Sequence, residues 1–206
     1  MASIEQVRNV VKKIASTDIG THICFFGGSI PYIMMGCNSN REHSDIDILV
    51  DEAYMEIVRC LLQEHNLYID TKDSLNFNVD KDYGLKAYVD GVYVEFEPMK
   101  IVNNRLYRRS FSPNSEMVGE EVIEFDQITD LIIPVQVEGI NTYFQSMEYI
   151  KVQKEKYQRD KDIKDVQFIN KCGFDVEKYN RVKMSFDNSY QELQKYSFDE
   201  IGGIDR

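Results

Sequence analysis

Two aspartates, Asp45 and Asp47, stand one residue apart in the run Ser44-Asp45-Ile46-Asp47-Ile48-Leu49-Val50, where apolar side chains alternate with acidic ones. That alternation is the period of a strand with one buried face, so both carboxylates project from the other face, their Cα atoms about 7 Å apart. Two carboxylates on one strand can share a hard divalent cation, whose remaining positions suit water and substrate phosphates. Upstream lies the glycine-rich turn Phe26-Gly27-Gly28-Ser29. A glycine turn followed by paired aspartates is the pattern of a magnesium and triphosphate site.

The surrounding sequence predicts the elements that hold these groups. Ile4, Val7, Val11 and Ile14 share one helical face over residues 4–15, and the apolar run from His22 to Phe26 reads as a strand that stops at Gly27. Ser29 is expected to cap a short helix with Pro31 in its first turn. After the Asp45 strand, a helix near 52–65 turns Ile57, Val58, Leu61 and Leu62 inward. Leu85–Val89 and Val92–Phe96 flank Asp90-Gly91, a two-residue hairpin signal, and the second strand displays Tyr93, Glu95 and Glu97. A further strand near 121–125 closes a mixed sheet. Beyond Pro134, Ile140, Tyr143, Phe144, Met147 and Ile150 follow a helical stripe, as do Tyr179, Val182, Phe186, Tyr190 and Leu193. The expectation is an α+β protein: a core over 1–133 and a C-terminal helical lobe over 134–206.

Composition narrows the chemistry. The 206 residues carry 43% hydrophobic and 29% charged side chains, the profile of one packed globular unit. A net charge of −11 repels phosphate backbones at long range and argues against non-specific nucleic-acid binding. It does not exclude nucleotides, because a divalent cation neutralises both triphosphate and carboxylates. Charge is unevenly spread: Lys151 to Lys183 is net +4 and the remainder −15, a distribution suited to clamping a polyanion, or equally to a solvated helix face laced with ion pairs. Cys24, Cys37, Cys60 and Cys172 have no paired spacing and read as reduced and mostly buried. With no apolar signal core and no long apolar run, the expected address is the cytoplasm, with no membrane partner.

Gly27-Gly28-Ser29, a helix-sized gap, Ser44-Asp45-Ile46-Asp47-Ile48 and a later strand bearing Glu95 together resemble the DNA polymerase β-type nucleotidyltransferase superfamily. Arg41-x-x-x-Asp45-x-Asp47 and Val92-Tyr93-Val94-Glu95-Phe96-Glu97-Pro98 are most similar to its small bacterial branch, which holds aminoglycoside and lincosamide nucleotidyltransferases and abortive-infection toxin-like proteins. The motif-bearing stretch covers residues 22–98. Arg159-Asp160-Lys161-Asp162-Ile163-Lys164-Asp165 further resembles a helix start common in these proteins, with Asp160 where Pro is usual.

The resemblance implies transfer of a nucleoside monophosphate from an NTP, ATP first among them, to an acceptor hydroxyl with release of pyrophosphate, using Mg²⁺ or Mn²⁺. Asp45 and Asp47 would be metal ligands. Glu95 would be the third carboxylate and would take the hydroxyl proton, although the superfamily usually has Asp there and Glu97 on the same strand face is the alternative ligand. Gly27 and Gly28 would let backbone approach phosphate, Ser29 would donate to the β and γ phosphates, and Lys161 and Arg41 would balance their charge. Mg²⁺ rarely takes imidazole, so His43 reads as a loop residue. Acceptors in this branch range over antibiotics, RNA ends and protein hydroxyls. Tyr93, Tyr143 and Tyr157 are candidates for an acceptor cleft, and a protein partner stays open. Two other readings compete: a non-catalytic nucleotide-fold protein or toxin–antitoxin component, and an Asp-x-Asp glycosyltransferase, which normally needs several βα units ahead of its motif.

Overall fold

The structure is a computed structural model that describes residues 2–39, 41–67, 84–111 and 117–195. Helix α1 (Ile4–Ala15) begins at a capping box, Ser3 Oγ accepting from the Gln6 amide while Gln6 answers the Ser3 amide, and it buries the expected Ile4, Val7, Val11 and Ile14. Strand β1 (Ile23–Phe26) ends at the glycine turn, helix α2 (Ile30–Met34) follows, and strand β2 (Asp45–Asp51) carries the aspartates. A 3₁₀ turn (Glu52–Tyr54) leads into α3 (Met55–Glu64). Strands β3 (Leu85–Val89) and β4 (Val92–Val102) form the Asp90-Gly91 hairpin, both turn residues at positive φ as a twist-matched two-residue turn requires. Strands β5 (Arg105–Phe111) and β6 (Met117–Glu124), short helix α4 (Ile128–Leu131), and strands β7 (Ile132–Val137) and β8 (Ile140–Gln145) come next. Helices α5 (Met147–Tyr157), α6 (Asp160–Cys172) and α7 (Val176–Asp187) precede β9 (Tyr190–Lys195).

All nine strands form one mixed sheet in the order β7-β8-β1-β2-β4-β5-β6-β9, with β3 also on β4. Strand β4 serves three neighbours: β2 runs parallel to it with Asp47 opposite Glu95, β3 pairs with its first half, and β5 with its last residues. One face packs Ile46, Ile48, Val94 and Phe96 against α1, α2 and α3. The other places Cys24, Phe26 and Leu49 against Tyr149 and Val152 of α5 and Val182 and Phe186 of α7. Side chains two apart on a strand share a face, so Asp45 and Asp47 lie on the Leu49 face, which the C-terminal helices cover. The βα units that a sugar-nucleotide transferase would place ahead of its Asp-x-Asp do not occur among the described residues before β2.

Four expectations are corrected here. The stripe from Ile140 to Ile150 is not one helix: Ile140–Gln145 is strand β8, parallel to β1, and helix begins only at Met147. Tyr190 belongs to β9 rather than to the helix that holds Tyr179, Val182 and Phe186. Ser29 makes no side-chain cap, because its φ of −81° and ψ of −26° are already helical, whereas a capping residue holds an extended backbone. Of the four cysteines, all free, only Cys24 is buried and Cys60 is exposed. Among the described residues no helix is long and apolar enough to cross a membrane.

Candidate functional site

The β1–α2 turn, the loop between α2 and β2, strand β2 and the start of α6 meet around a cavity of about 200 Å³. Of the residues singled out in the sequence, Gly28, Ser29, Arg41, Asp45, Asp47 and Lys161 line it. His43, Lys154 and Arg159 join them. Gly27, Glu95 and Glu97 do not face this cavity. One wall is therefore acidic, from β2, and the opposite wall is basic, from α5 and α6.

On the acidic wall, Ser44 Oγ donates to Asp45 Oδ1 at 2.8 Å. Burial first, then the neighbouring charges of Asp45, Glu97 and Glu95, push the Asp47 carboxyl up to about 8. A carboxylate raised by burial and by three others is one that a cation would stabilise. Gly27 backs Asp47 outside the cavity: at φ +92° its Cα lies against Asp47, and a Cβ there would come within 2.6 Å of Asp47 Oδ2. The glycine therefore makes room for a carboxylate of its own chain.

Glu95 and Glu97 differ in their commitments. Tyr93 donates its hydroxyl to Glu95 Oε1 at 3.0 Å, and Lys86 Nζ stands 3.7 Å from the same oxygen. Glu97 accepts from Arg108 Nη2 at 3.2 Å, and that guanidinium also stacks 4.9 Å above Phe26. Both perturb Asp47. The donors are all hard oxygens, which suit Mg²⁺ or Mn²⁺ in type. Among the described residues no group of three His, Cys, Asp or Glu side chains converges to hold an ion.

The basic wall is organised by two fully buried aspartates in the first turns of α6. Asp162 takes Arg159 Nε at 2.6 Å, Arg159 Nη2 at 3.2 Å and Lys154 Nζ at 2.9 Å. Burial alone would raise its carboxyl, but these bonds hold it down to about 2. Asp165 takes Arg41 Nε at 2.9 Å and Nη2 at 2.8 Å. Here burial wins and raises the carboxyl in spite of Arg41 and Lys154. Arg41 thus reaches the cavity with its fork already bound, a planar bidentate pairing that Lys could not reproduce.

Of the two readings of the basic segment, the ion pairs favour the face laced with them. Lys151, Lys154, Arg159, Lys178, Arg181 and Lys183 are all in ion pairs, two of them, Lys151–Glu155 and Lys183–Asp187, at i, i+4. Lys161 lines the cavity and makes no ion pair among the described residues. Lys154 was missed in sequence because nothing local marks it; Arg159, Asp162 and Asp165 stood in the helix-start motif without a role, and that of Asp165 depends on Arg41, 124 residues upstream.

His43 is 2% exposed, bridges its backbone to Ala2 and sets its ring edge-on to Tyr32. Its Nε2 finds no partner among the described residues. Burial, with help from Arg41, lowers it to about 4, so the imidazole is neutral near pH 7. Of the three tyrosines, only Tyr93 adjoins the carboxylates, as the register partner of Asp45. Tyr143 lies on β8, beyond β1, and Tyr157 ends α5 with its ring against Arg159.

No protein-family model matches the sequence, and no curated protein matches it. Solved structures do match in shape. The antibiotic-resistance factor ANT(2'')-Ia, whose solution structure reveals substrate-regulated conformation dynamics, aligns with a TM-score of 0.54 over 88% of this chain and 90% of its own, at 15% identity. The lincosamide antibiotic adenylyltransferase LnuA, crystallised with lincomycin bound, aligns with a TM-score of 0.52 over 82% of this chain and 96% of its own, also at 15% identity. The chain shares their fold, the mixed sheet flanked by helices anticipated from its motifs.

Proposed function

We propose that this protein, built on the fold it shares with those two enzymes, moves a nucleoside monophosphate from an NTP to an acceptor hydroxyl and releases pyrophosphate. One observation carries the reading: Asp45 and Asp47 face Lys154, Arg159 and Lys161 across a single small cavity. Carboxylates opposite cations are what a metal-bound triphosphate needs on its two sides.

Asp45 and Asp47 would hold Mg²⁺ or Mn²⁺, which supplies charge neutralisation and activation of the phosphoryl centre. The chain's own residues do the rest. Lys161, which makes no ion pair among the described residues, meets the phosphates, and the buried Ser29 hydroxyl, with no side-chain cap to make, donates to them. Glu95 stands on the far side of the aspartates from the cavity, where it accepts the proton of the attacking hydroxyl; that proton transfer contributes about 10²- to 10⁴-fold in rate. The reading is supported by the shared fold and by the lincosamide antibiotic named for LnuA, which makes a small hydroxyl-bearing molecule the first acceptor to try.

A second reading, a protein that binds NTP without turning it over, is favoured by the lack of three converging donors among the described residues. Pyrophosphate release separates the two. With each NTP, Mg²⁺ and a panel of hydroxyl acceptors, turnover that disappears in Asp45→Asn supports transfer, and tight binding without turnover supports the second reading.

A further inference from the structure

We infer that Asp165 is a positioning residue of the nucleotide site, acting through Arg41 and Lys154 rather than on the nucleotide. The inference rests on the transferase reading and extends it to helix α6. Asp165 is fully buried, so nothing in the cavity touches it. Both its oxygens are used: Oδ1 by Arg41 Nε at 2.9 Å and the Tyr32 hydroxyl at 3.4 Å, Oδ2 by Arg41 Nη2 at 2.8 Å, with Lys154 Nζ 3.8 Å away. Arg41 belongs to the loop that delivers Asp45, Tyr32 to the helix after the glycine turn, and Lys154 to the basic wall. One carboxylate therefore fixes both walls relative to each other.

Gly28 supplies the independent observation. A Cβ at this position would meet Arg41 Nη2 at 2.3 Å and Asp165 Oδ2 at 2.4 Å. The ion pair is packed directly against the turn, and the bare backbone at Gly28 is required by that pair. Arg41 then acts as a strut: its charge is matched and its fork is filled. The competing view, that Arg41 is a phosphate ligand parked on Asp165, makes the opposite prediction, because freeing the guanidinium would strengthen nucleotide binding.

The experiment measures binding of ATP and the other NTPs with Mg²⁺ to the full chain by calorimetry, beside thermal unfolding. Asp165→Asn and Arg41→Lys should each weaken binding by about tenfold, with Gly28→Ala in the same direction. Asp130→Asn is the control: it breaks an equally bidentate pair, Arg181 Nε and Nη2 on Asp130 at 3.0 and 2.8 Å, away from the cavity. It should lower the unfolding temperature yet leave binding within about twofold. Asp165→Asn binding as well as the natural chain, or more tightly, or losing no more affinity than Asp130→Asn, overturns the inference alone. If Asp165→Asn does not fold, Arg41→Lys and Gly28→Ala decide by the same criterion. A natural chain that binds no NTP overturns the transferase reading and this inference with it.

Discussion

Asp47 and Glu95 are register partners on the parallel strands β2 and β4, so their side chains leave the same face of the sheet side by side. The pairing places a carboxylate of the hairpin next to the aspartate whose titration is most disturbed in the site. From it follow consequences for stability as well as for chemistry.

Asp47 gives the protein a pH signature. Its carboxyl titrates near the ordinary 3.8 when unfolded and is pushed up to about 8 when folded. Between those values the native state binds more protons than the unfolded one, so unfolding free energy falls as pH rises, and the contribution present below 3.8 is gone above 8. Urea unfolding in EDTA should show this decline from pH 5.5 to 8.5, and Asp47→Asn should flatten it. Mg²⁺ should restore stability at the alkaline end of the natural chain and do nothing for Asp47→Asn.

Glu95→Gln and Glu97→Gln should fail differently. Glu97 neutralises the inward-facing Arg108 at 3.2 Å, so Glu97→Gln is expected to cost about 1–3 kcal/mol of stability in denaturant unfolding. Among the described residues Glu95 is bonded to Tyr93 and distantly to Lys86, so Glu95→Gln should leave stability nearly unchanged while turnover falls by about 10²- to 10⁴-fold. The reverse pattern would make Glu97 the third carboxylate.

Lys161→Ala should raise the dissociation constant for NTP by about tenfold, the cost of one charged contact of about 1.4 kcal/mol. Lys164→Ala makes the same change in net charge one turn along α6, outside the cavity, and should leave affinity alone. Equal losses would mean that long-range charge, rather than contact, attracts the nucleotide.

Gly27→Ala should be harmful. The residue sits at φ +92° and the new Cβ would be 2.6 Å from Asp47 Oδ2. A loss of about 1–3 kcal/mol in unfolding, together with loss of the Mg²⁺ response, is expected.

What was legible in the sequence is what short-range physics decides. The alternation around Asp45 and the Asp90-Gly91 turn each state their conformation within a few residues, and β2 and β3 follow them closely, while β4 runs on past Phe96 to Val102. Strand β8 was hidden because Ile140, Tyr143, Phe144 and Met147 also satisfy helical spacing. Its preceding turn, Glu138-Gly139, takes φ of 53° and 83° without the Asn or Asp that usually announces such a turn. Its partner β1 lies far upstream, so only the tertiary fold selects strand over helix. The site divides the same way. Asp45 and Asp47 were visible, while the holding of Arg41 by Asp165 and of Lys154 by Asp162 depends on side chains brought together by packing.

The most direct test of the account is Mg²⁺-dependent pyrophosphate release, followed with each α-labelled NTP and a panel of hydroxyl acceptors, in the natural chain, Asp45→Asn and Asp47→Asn. The account expects release coupled to label transfer in the natural chain, and a fall of about 10³-fold or more in either variant while both remain folded. A natural chain that neither binds NTP with Mg²⁺ nor releases pyrophosphate, with the two variants changing stability alone, would contradict it.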